Sequence, residues 1–275
     1  MATMLINDVE IYYELTGESG EVLTILNGIM MSSGSWTEIK KDYIKSGYRI
    51  LTVDFRDQGK SGSSPVDYEI EQHAEDLKVL LDQLAIKKTH ILGISYGGQV
   101  GMIFALKYKK CIGRLILANT SSRLSNFLKG IGDAWDEAAK LYDGERFFRI
   151  AMPLIYSDVF YETHYDWLKE REKSFKDVLT KNWFTRYLRL SSSHGKYNIE
   201  AEIYNIEAPT LVIGADRDIV TPYEETYKIY KKITNASFVM IPECGHASCY
   251  EKPQEFNIQV LGFLGIRRLE EEGRA

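Results

Sequence analysis

The sequence predicts an α/β protein: a mostly parallel sheet with helices on both faces, interrupted once by an all-helical insertion. Three observations predict it. Short apolar runs alternate with amphipathic stretches toward both ends of the chain, the pattern of repeated βα units. The alternation stops after Ala118 and resumes at Ile206-Glu207-Ala208-Pro209. Between a strand and a helix lies Gly93-Ile94-Ser95-Tyr96-Gly97, the G-x-S-x-G spacing of a sharp turn that lifts a serine above a sheet.

The elements follow in chain order. Val9 to Thr16 alternates in part and ends at the turn Gly17-Glu18-Ser19-Gly20. Val22 to Leu26 is a buried strand, and a helix is expected around Trp36 to Lys45. Tyr48 to Val53 is the next strand. Ile70 to Leu84 is an amphipathic helix whose polar face carries His73, expected in solvent. Thr89-His90-Ile91-Leu92 is the strand before the serine turn, and Gln99 to Leu106 the helix after it. Ile112 to Ala118, Pro209 to Gly214 and Ala236 to Ile241 read as further strands.

From about Ser122 to Tyr204 no buried strand is legible. Aromatic residues from Trp135 to Tyr187 interleave with charges instead. So aromatic a segment does not stay unfolded, and a structureless loop of that length is unusual in a compact domain. It is expected to be a separate helical layer, with Gly130, Gly132 and Gly144 as candidate hinges.

A serine hydroxyl is a poor nucleophile until a base takes its proton and a third group orients that base. The flanking Gly93 and Gly97 fit a turn tight enough to exclude side chains. Beyond the insertion, Ala215-Asp216-Arg217-Asp218 follows one strand and Pro242-Glu243-Cys244-Gly245-His246 follows the last. Of the five histidines, only His246 follows the last core strand, beside a glycine. Asp216 and Asp218 both compete for the acid's place, and Asp216 also suits a turn residue bonding local backbone.

Taken in order, these pieces resemble the α/β-hydrolase superfamily over nearly the whole chain. The resemblance rests on Leu26-Asn27-Gly28, Asp54-Phe55-Arg56-Asp57-Gln58-Gly59-Lys60-Ser61, the turn at Ser95, Gly214 to Pro222, and Gly245-His246 with Glu251-Lys252-Pro253 and Phe256. It implies an eight-stranded sheet carrying a Ser95–His246–Asp218 triad, with Asp218 aligned to the family's acid. It implies an oxyanion hole from the backbone N–H groups of Tyr96 and Ile29. It also implies that residues 122–204 are a helical cap inserted in a core of residues 1–121 and 205–275. Asn27 stands where the family often has histidine, and its amide is expected to brace that loop. Asp57-Gln58 departs from the usual Arg-Gly-x-Gly run, and Asp57 is expected to be a solvated turn residue.

The implied chemistry is acyl transfer to water on a small-molecule ester, without metal or organic cofactor; a lactonase, a carbon–carbon hydrolase or a perhydrolase uses the same triad, and some relatives are receptors that bind a small ligand in the same pocket. Met30 and Met31, next to the oxyanion loop, suggest an adaptable apolar pocket wall. Met30, Trp135, Phe148 and Trp183 are the candidate substrate-binding residues. No Arg or Lys of the matched catalytic pieces serves the site, which favours a neutral or mostly apolar ester, although the cap could supply one.

Composition excludes several alternatives. The chain's 275 residues suit one α/β domain with a sizeable core. No apolar run approaches the ~18 residues of a membrane span. The start lacks a basic segment followed by an apolar core, so no signal peptide is expected. Cys111, Cys244 and Cys249 are odd in number and lack metal spacing, which fits a reducing cytoplasm. A net charge of −5 argues against nucleic acid as a partner.

Overall fold

A computed structural model of the chain describes residues 2–272. Met1 and residues 273–275, the outer ends of the expected core, lie outside the described residues. Among the described residues eight strands form one sheet: β1 (Ala2–Ile6), β2 (Val9–Thr16), β3 (Val22–Leu26), β4 (Arg49–Val53), β5 (Thr89–Ile94), β6 (Ile112–Ala118), β7 (Thr210–Ala215) and β8 (Ala236–Ile241). Their order is β1-β2-β4-β3-β5-β6-β7-β8. β2 pairs antiparallel with β1 and β4, and every other pairing is parallel.

The central strands β3 and β5 are buried along their whole length, as the parallel strands of a covered sheet must be. Helices α2 (Glu71–Gln83), α3 (Tyr96–Lys107) and α9 (Tyr223–Lys232) cover one face, packing Leu77, Leu80, Val100, Phe104 and Ile229 into its core. α1 (Lys40–Lys45) and α11 (Pro253–Glu272) cover the other, with Trp36, Tyr43, Phe256 and Val260 beneath them. The sequence shows β1, α9 and α11 poorly. β1 is a largely exposed edge strand, so burial imposes no clear pattern on it. The helix expected over Trp36 to Lys45 is a 3₁₀ turn, Ser33–Trp36, followed by the shorter α1.

Between β6 and β7 run five helices, α4 (Asn126–Ala139), α5 (Gly144–Ile155), α6 (Asp158–Thr163), α7 (Tyr165–Val178) and α8 (Lys181–Ser192). Four of them begin on a side-chain cap, Ser125, Asp143, Ser157 and Thr180, each accepting a backbone N–H of the first turn. They share a core of their own that includes Trp135, Phe147, Phe148, Phe160 and Phe184. That core also takes in Val220, Ala247, Ile29 and Met30 from loops that follow β7, β8 and β3. The helical layer therefore sits over the carboxyl ends of the parallel strands, where α/β sheets bind ligands.

Polar contacts fasten this layer to the sheet. Arg186 on α8 donates to the carbonyls of Gln58, Gly59 and Ser61. Arg189 donates to Asp57 Oδ1 (3.1 Å) and to Ser64 O (2.7 Å). Asp57 is thus buried rather than solvated, because the insertion covers its loop. Burial pushes its carboxyl above the ordinary value, with Arg189 opposing the shift. His73 is likewise 1% exposed, not in solvent, and its ring packs among Phe55, Tyr68 and Tyr96. Gly144 is a contact point rather than a free hinge: a Cβ there would lie 2.2 Å from Phe175 O on α7. Gly130 and Gly132 lie inside α4, where a Cβ would meet nothing within 4 Å.

Candidate active site

The turn between β5 and α3 holds Ser95 at φ 53°, ψ −118°, a strained conformation for a residue with a Cβ. The strain is maintained by close backbone packing. A Cβ on Gly93 would stand 2.4 Å from Gly97 O, and one on Gly97 would stand 2.2 Å from Leu26 O, so neither position admits a side chain. The geometry throws the Ser95 hydroxyl clear of the sheet, onto the face covered by the insertion.

His246, in the loop after β8, meets it there. Its Nε2 lies 2.8 Å from Ser95 Oγ, and its Nδ1 lies 2.9 Å from Asp218 Oδ2. Asp218 is buried, and each of its oxygens is fully used. Oδ1 accepts the backbone N–H groups of Val220 and Thr221, both at 2.9 Å. Oδ2 accepts Asn119 Nδ2 (2.9 Å) and Thr221 Oγ1 (2.8 Å) besides the histidine. Burial works against the charge of Asp218. His246, Asn119 and the Thr221 N–H outweigh it, so the carboxyl stays below its ordinary range and ionised at neutral pH. Asp216, the competing aspartate, is exposed and, among the described residues, accepts only the backbone N–H of Cys244, at 3.2 Å. It braces a neighbouring loop rather than local backbone.

The His246 loop is itself held. Its backbone N–H donates to Ile155 O at the end of α5 (2.8 Å). The Glu251 carboxylate accepts Gly245 N–H, Ser157 N–H and Ser157 Oγ, joining the residue before the histidine to the start of α6. The insertion and the histidine are thereby one hydrogen-bonded unit.

Ile29 lines the same cavity as Ser95, and Tyr96 directly follows the serine. Among the described residues, neither Ile29 N–H nor Tyr96 N–H donates to a protein acceptor. Tyr96 is the first residue of α3, so its N–H is a free helix-terminal donor. The Tyr96 side chain points elsewhere, with its hydroxyl on Ser193 Oγ at 2.6 Å. The Ile29 loop is braced as the Asn27 reading requires. Asn27 Nδ2 donates to Val53 O and Gln58 Oε1, its Oδ1 accepts Trp36 Nε1, and Gln58 Nε2 donates to Gly28 O.

Ser95 and His246 open onto a cavity of about 800 Å³ beneath the insertion. Met30, Met31, Trp135 and Trp183 line it, together with Phe147, Met152, Ile155, Tyr156, Phe175 and Leu179. Phe148 does not. It is 2% exposed, and its ring packs edge-on against Phe175. Neighbouring helix residues project about 100° apart, so only one of two adjacent phenylalanines faces a given cavity. Phe147 is the one that does. Sequence reasoning also missed Asn119, Thr221, Glu251 and Arg171. The first two lie directly after β6 and after Asp218, which is a positional signal. Glu251 belongs to the stretch after His246 that carries the family resemblance, where it was given no role, and Arg171 has no such signal.

Comparison with known proteins places this architecture. Residues 21–253 match the family described as the α/β-hydrolase fold. The chain belongs to that family. A 2-hydroxy-6-oxononadienedioate/2-hydroxy-6-oxononatrienedioate hydrolase of Paraburkholderia phymatum is 26% identical, over 94% of this chain and 92% of its own length. A 3-oxoadipate enol-lactonase of Acinetobacter baylyi is 25% identical over 93% of each. Among solved structures, an α/β-hydrolase enzyme from a Medee basin deep-sea metagenome library superposes with a TM-score of 0.93. It is 38% identical and covers 96% of this chain, which covers 97% of it. No helix among the described residues is long and apolar enough to cross a membrane.

Proposed function

We propose that this protein is a serine hydrolase that cleaves a small, mostly apolar carboxylic ester through an acyl-enzyme intermediate. The observation that carries the reading is the unbroken line Ser95 Oγ–His246 Nε2–His246 Nδ1–Asp218, at 2.8 and 2.9 Å, opening on an apolar cavity. In this reading Ser95 Oγ attacks the carbonyl carbon while His246 Nε2 takes its proton. Asp218 holds the Nδ1–H tautomer and stabilises the imidazolium. The N–H groups of Ile29 and Tyr96 hold the negative oxygen of the tetrahedral intermediate. The alcohol leaves with the proton from His246. Water, deprotonated by the same nitrogen, then attacks the acyl carbon and releases the acid and Ser95. Residues 122–204 act as a cap that excludes water and shapes the pocket.

A second reading keeps the same residues and changes the bond broken. Opening of a lactone, or cleavage of a carbon–carbon bond next to a ketone, is favoured by the names of the two relatives above. A ligand receptor without catalysis is disfavoured by the complete, strained serine turn, since strain that serves no reaction is a needless cost.

The test is hydrolysis of aryl esters, lactones and ring-fission diketones by the wild type and by Ser95→Ala. Ser95→Ala is expected to lose several orders of magnitude in kcat with an unchanged melting temperature. Retention of more than about a tenth of the rate excludes Ser95 as nucleophile. Activity on none of the three classes, with tight binding of a small ligand, supports the receptor instead.

A further inference from the structure

Among the described residues, Arg171, on α7, is the one Arg or Lys side chain that lines the cavity shared with Ser95 and His246. Several other arginines reach carboxylates: Arg56 meets Asp76, Arg149 meets Glu172, Arg189 meets Asp57 and Arg217 meets Asp158. Arg171 meets rings. Its guanidinium lies 4.8 Å from the Trp167 centroid and 5.6 Å from that of Phe175, and no carboxylate among the described residues pairs with it. Rings orient a guanidinium and leave its N–H donors unused.

Two cavity-lining phenols stand in its field. The charge of Arg171 acts on both Tyr156 and Tyr250, against the burial that raises their hydroxyl pKa values. Tyr250 donates to Ser35 O at 3.3 Å, and the Tyr156 hydroxyl has no protein partner among the described residues. The other charged residue of the lining, Glu38, is neutralised by Lys41 at 2.6 Å and is largely in solvent. The wall formed by α7 and the residues before α6 therefore presents a guanidinium and the Tyr156 hydroxyl to a largely apolar cavity, while the Glu251 carboxylate that also acts on Tyr156 is engaged by Ser157 and Gly245.

We propose that Arg171, with the Tyr156 hydroxyl, forms an anion subsite that binds a carboxylate carried by the substrate away from its scissile carbonyl. The proposal deepens the ester-hydrolase reading and rests on it for the bond cleaved. The substrate class becomes a half-ester or lactone of a dicarboxylic acid. Its apolar chain spans the Met30, Trp135 and Trp183 walls, and its free acid ends at α7. A planar guanidinium suits a carboxylate because two parallel N–H groups match two oxygens.

The experiment compares 4-nitrophenyl butanoate with the 4-nitrophenyl half-esters of succinate, glutarate and adipate, in wild type, Arg171→Gln and Arg171→Lys. The wild type is expected to favour one half-ester over the neutral ester in kcat/KM. Arg171→Gln should cut that half-ester about ten- to a hundredfold and change butanoate less than threefold, the loss of one charge-assisted contact. Arg171→Lys should restore part of the difference, and salt should shrink it. A half-ester to butanoate ratio that Arg171→Gln leaves within twofold overturns the subsite. So does a variant that only lowers the melting temperature, which makes Arg171 a packing residue over Trp167. Calorimetric titration of monomethyl adipate keeps the two readings apart. Arg171-dependent binding without turnover of any ester overturns the ester reading and supports the subsite, whereas turnover with Arg171-independent binding does the reverse.

Discussion

Asp218→Asn changes one oxygen to NH₂ and nothing in shape, so its effect follows from hydrogen-bond accounting. Both carboxylate oxygens are surrounded by donors, and the amide must turn its NH₂ toward one set. If the amide oxygen takes the Oδ2 position, the NH₂ faces the N–H groups of Val220 and Thr221. Backbone donors cannot rotate, and two buried donors left unmet cost about 2–6 kcal/mol together. If the oxygen takes the Oδ1 position, the NH₂ faces Asn119 Nδ2, Thr221 Oγ1 and His246 Nδ1. The hydroxyl can turn to accept, and the imidazole can accept by moving its proton to Nε2. The second arrangement is therefore the one adopted. It places an Nε2–H against Ser95 Oγ, where a lone pair is needed. The predicted loss in kcat is on the order of 10⁴, the effect of a wrong tautomer in serine proteases, or about 5 kcal/mol of barrier. Stopped assays with an activated aryl ester at pH 8 measure the rate, and circular dichroism melts check the fold. Asp216→Asn is the control and is expected to stay within about threefold, because it disturbs one exposed contact. A variant at 218 that keeps more than about a tenth of the activity refutes the reasoning, as does an Asp216→Asn variant that loses more.

Three further outcomes are expected. Phe147→Leu should change the preference between short and long acyl esters, measured as a kcat/KM ratio. Phe148→Leu should lower stability by about 0.5–3 kcal/mol with that ratio unchanged, since only Phe147 faces the cavity. Gly130→Ala should raise the melting temperature through about 1 kcal/mol of helix propensity, whereas Gly144→Ala should lower it by driving α5 off the Phe175 carbonyl. Burial pushes His194 down to about 4 and His73 well below its ordinary 6.5, the latter with Arg56 adding to the effect. The unfolded chain takes up these protons near pH 6.5, so it binds more protons than the native state below that, and stability falls as pH drops from about 6.5 toward 4. For His194 the full span is worth about 3 kcal/mol at 1.36 kcal/mol per unit. Chemical denaturation at pH 7 and pH 5 should show a smaller difference in His194→Gln than in wild type, and an equal difference removes His194 from the account.

Strands β3, β5, β6 and β7 were legible because a strand covered on both faces must be a short apolar run between turn residues. The serine turn was legible for a similarly local reason. Its backbone path tolerates no side chain at Gly93 or Gly97, so the requirement is written at fixed spacing. The helical character of residues 126–192 was legible from aromatics among charges, whereas the direction each aromatic faces was not. Phe147 and Phe148 are equivalent by composition and differ only in helix phase relative to a cavity roof. His73 and Asp57 misled for the same reason: a polar residue reads as solvated until the elements that cover it are known. Tyr68 and Tyr96 cover the first, and α8 covers the second.

What the chain determined by itself is therefore the local grammar: which segments are strands, where the turn must be glycine-lined, and which residues stand at strand ends with nucleophilic, basic or acidic groups. These depend on backbone sterics and burial periodicity, which act over a few residues. Tertiary structure alone decided the rest. It surrounded Asp218, the acid the resemblance already implied, with five donors drawn from residues 119, 220, 221 and 246, and gave Asp216 no such set. It tied the His246 loop to the insertion through Glu251 and Ser157, and it set Arg171 against the cavity with no carboxylate beside it. The contacts of Asn119 and His246 with Asp218, and of Ser157 with Glu251, join positions 28 to 99 residues apart. Their energies come from desolvation and hydrogen-bond geometry, which exist only once the sheet and the helical layer have packed together.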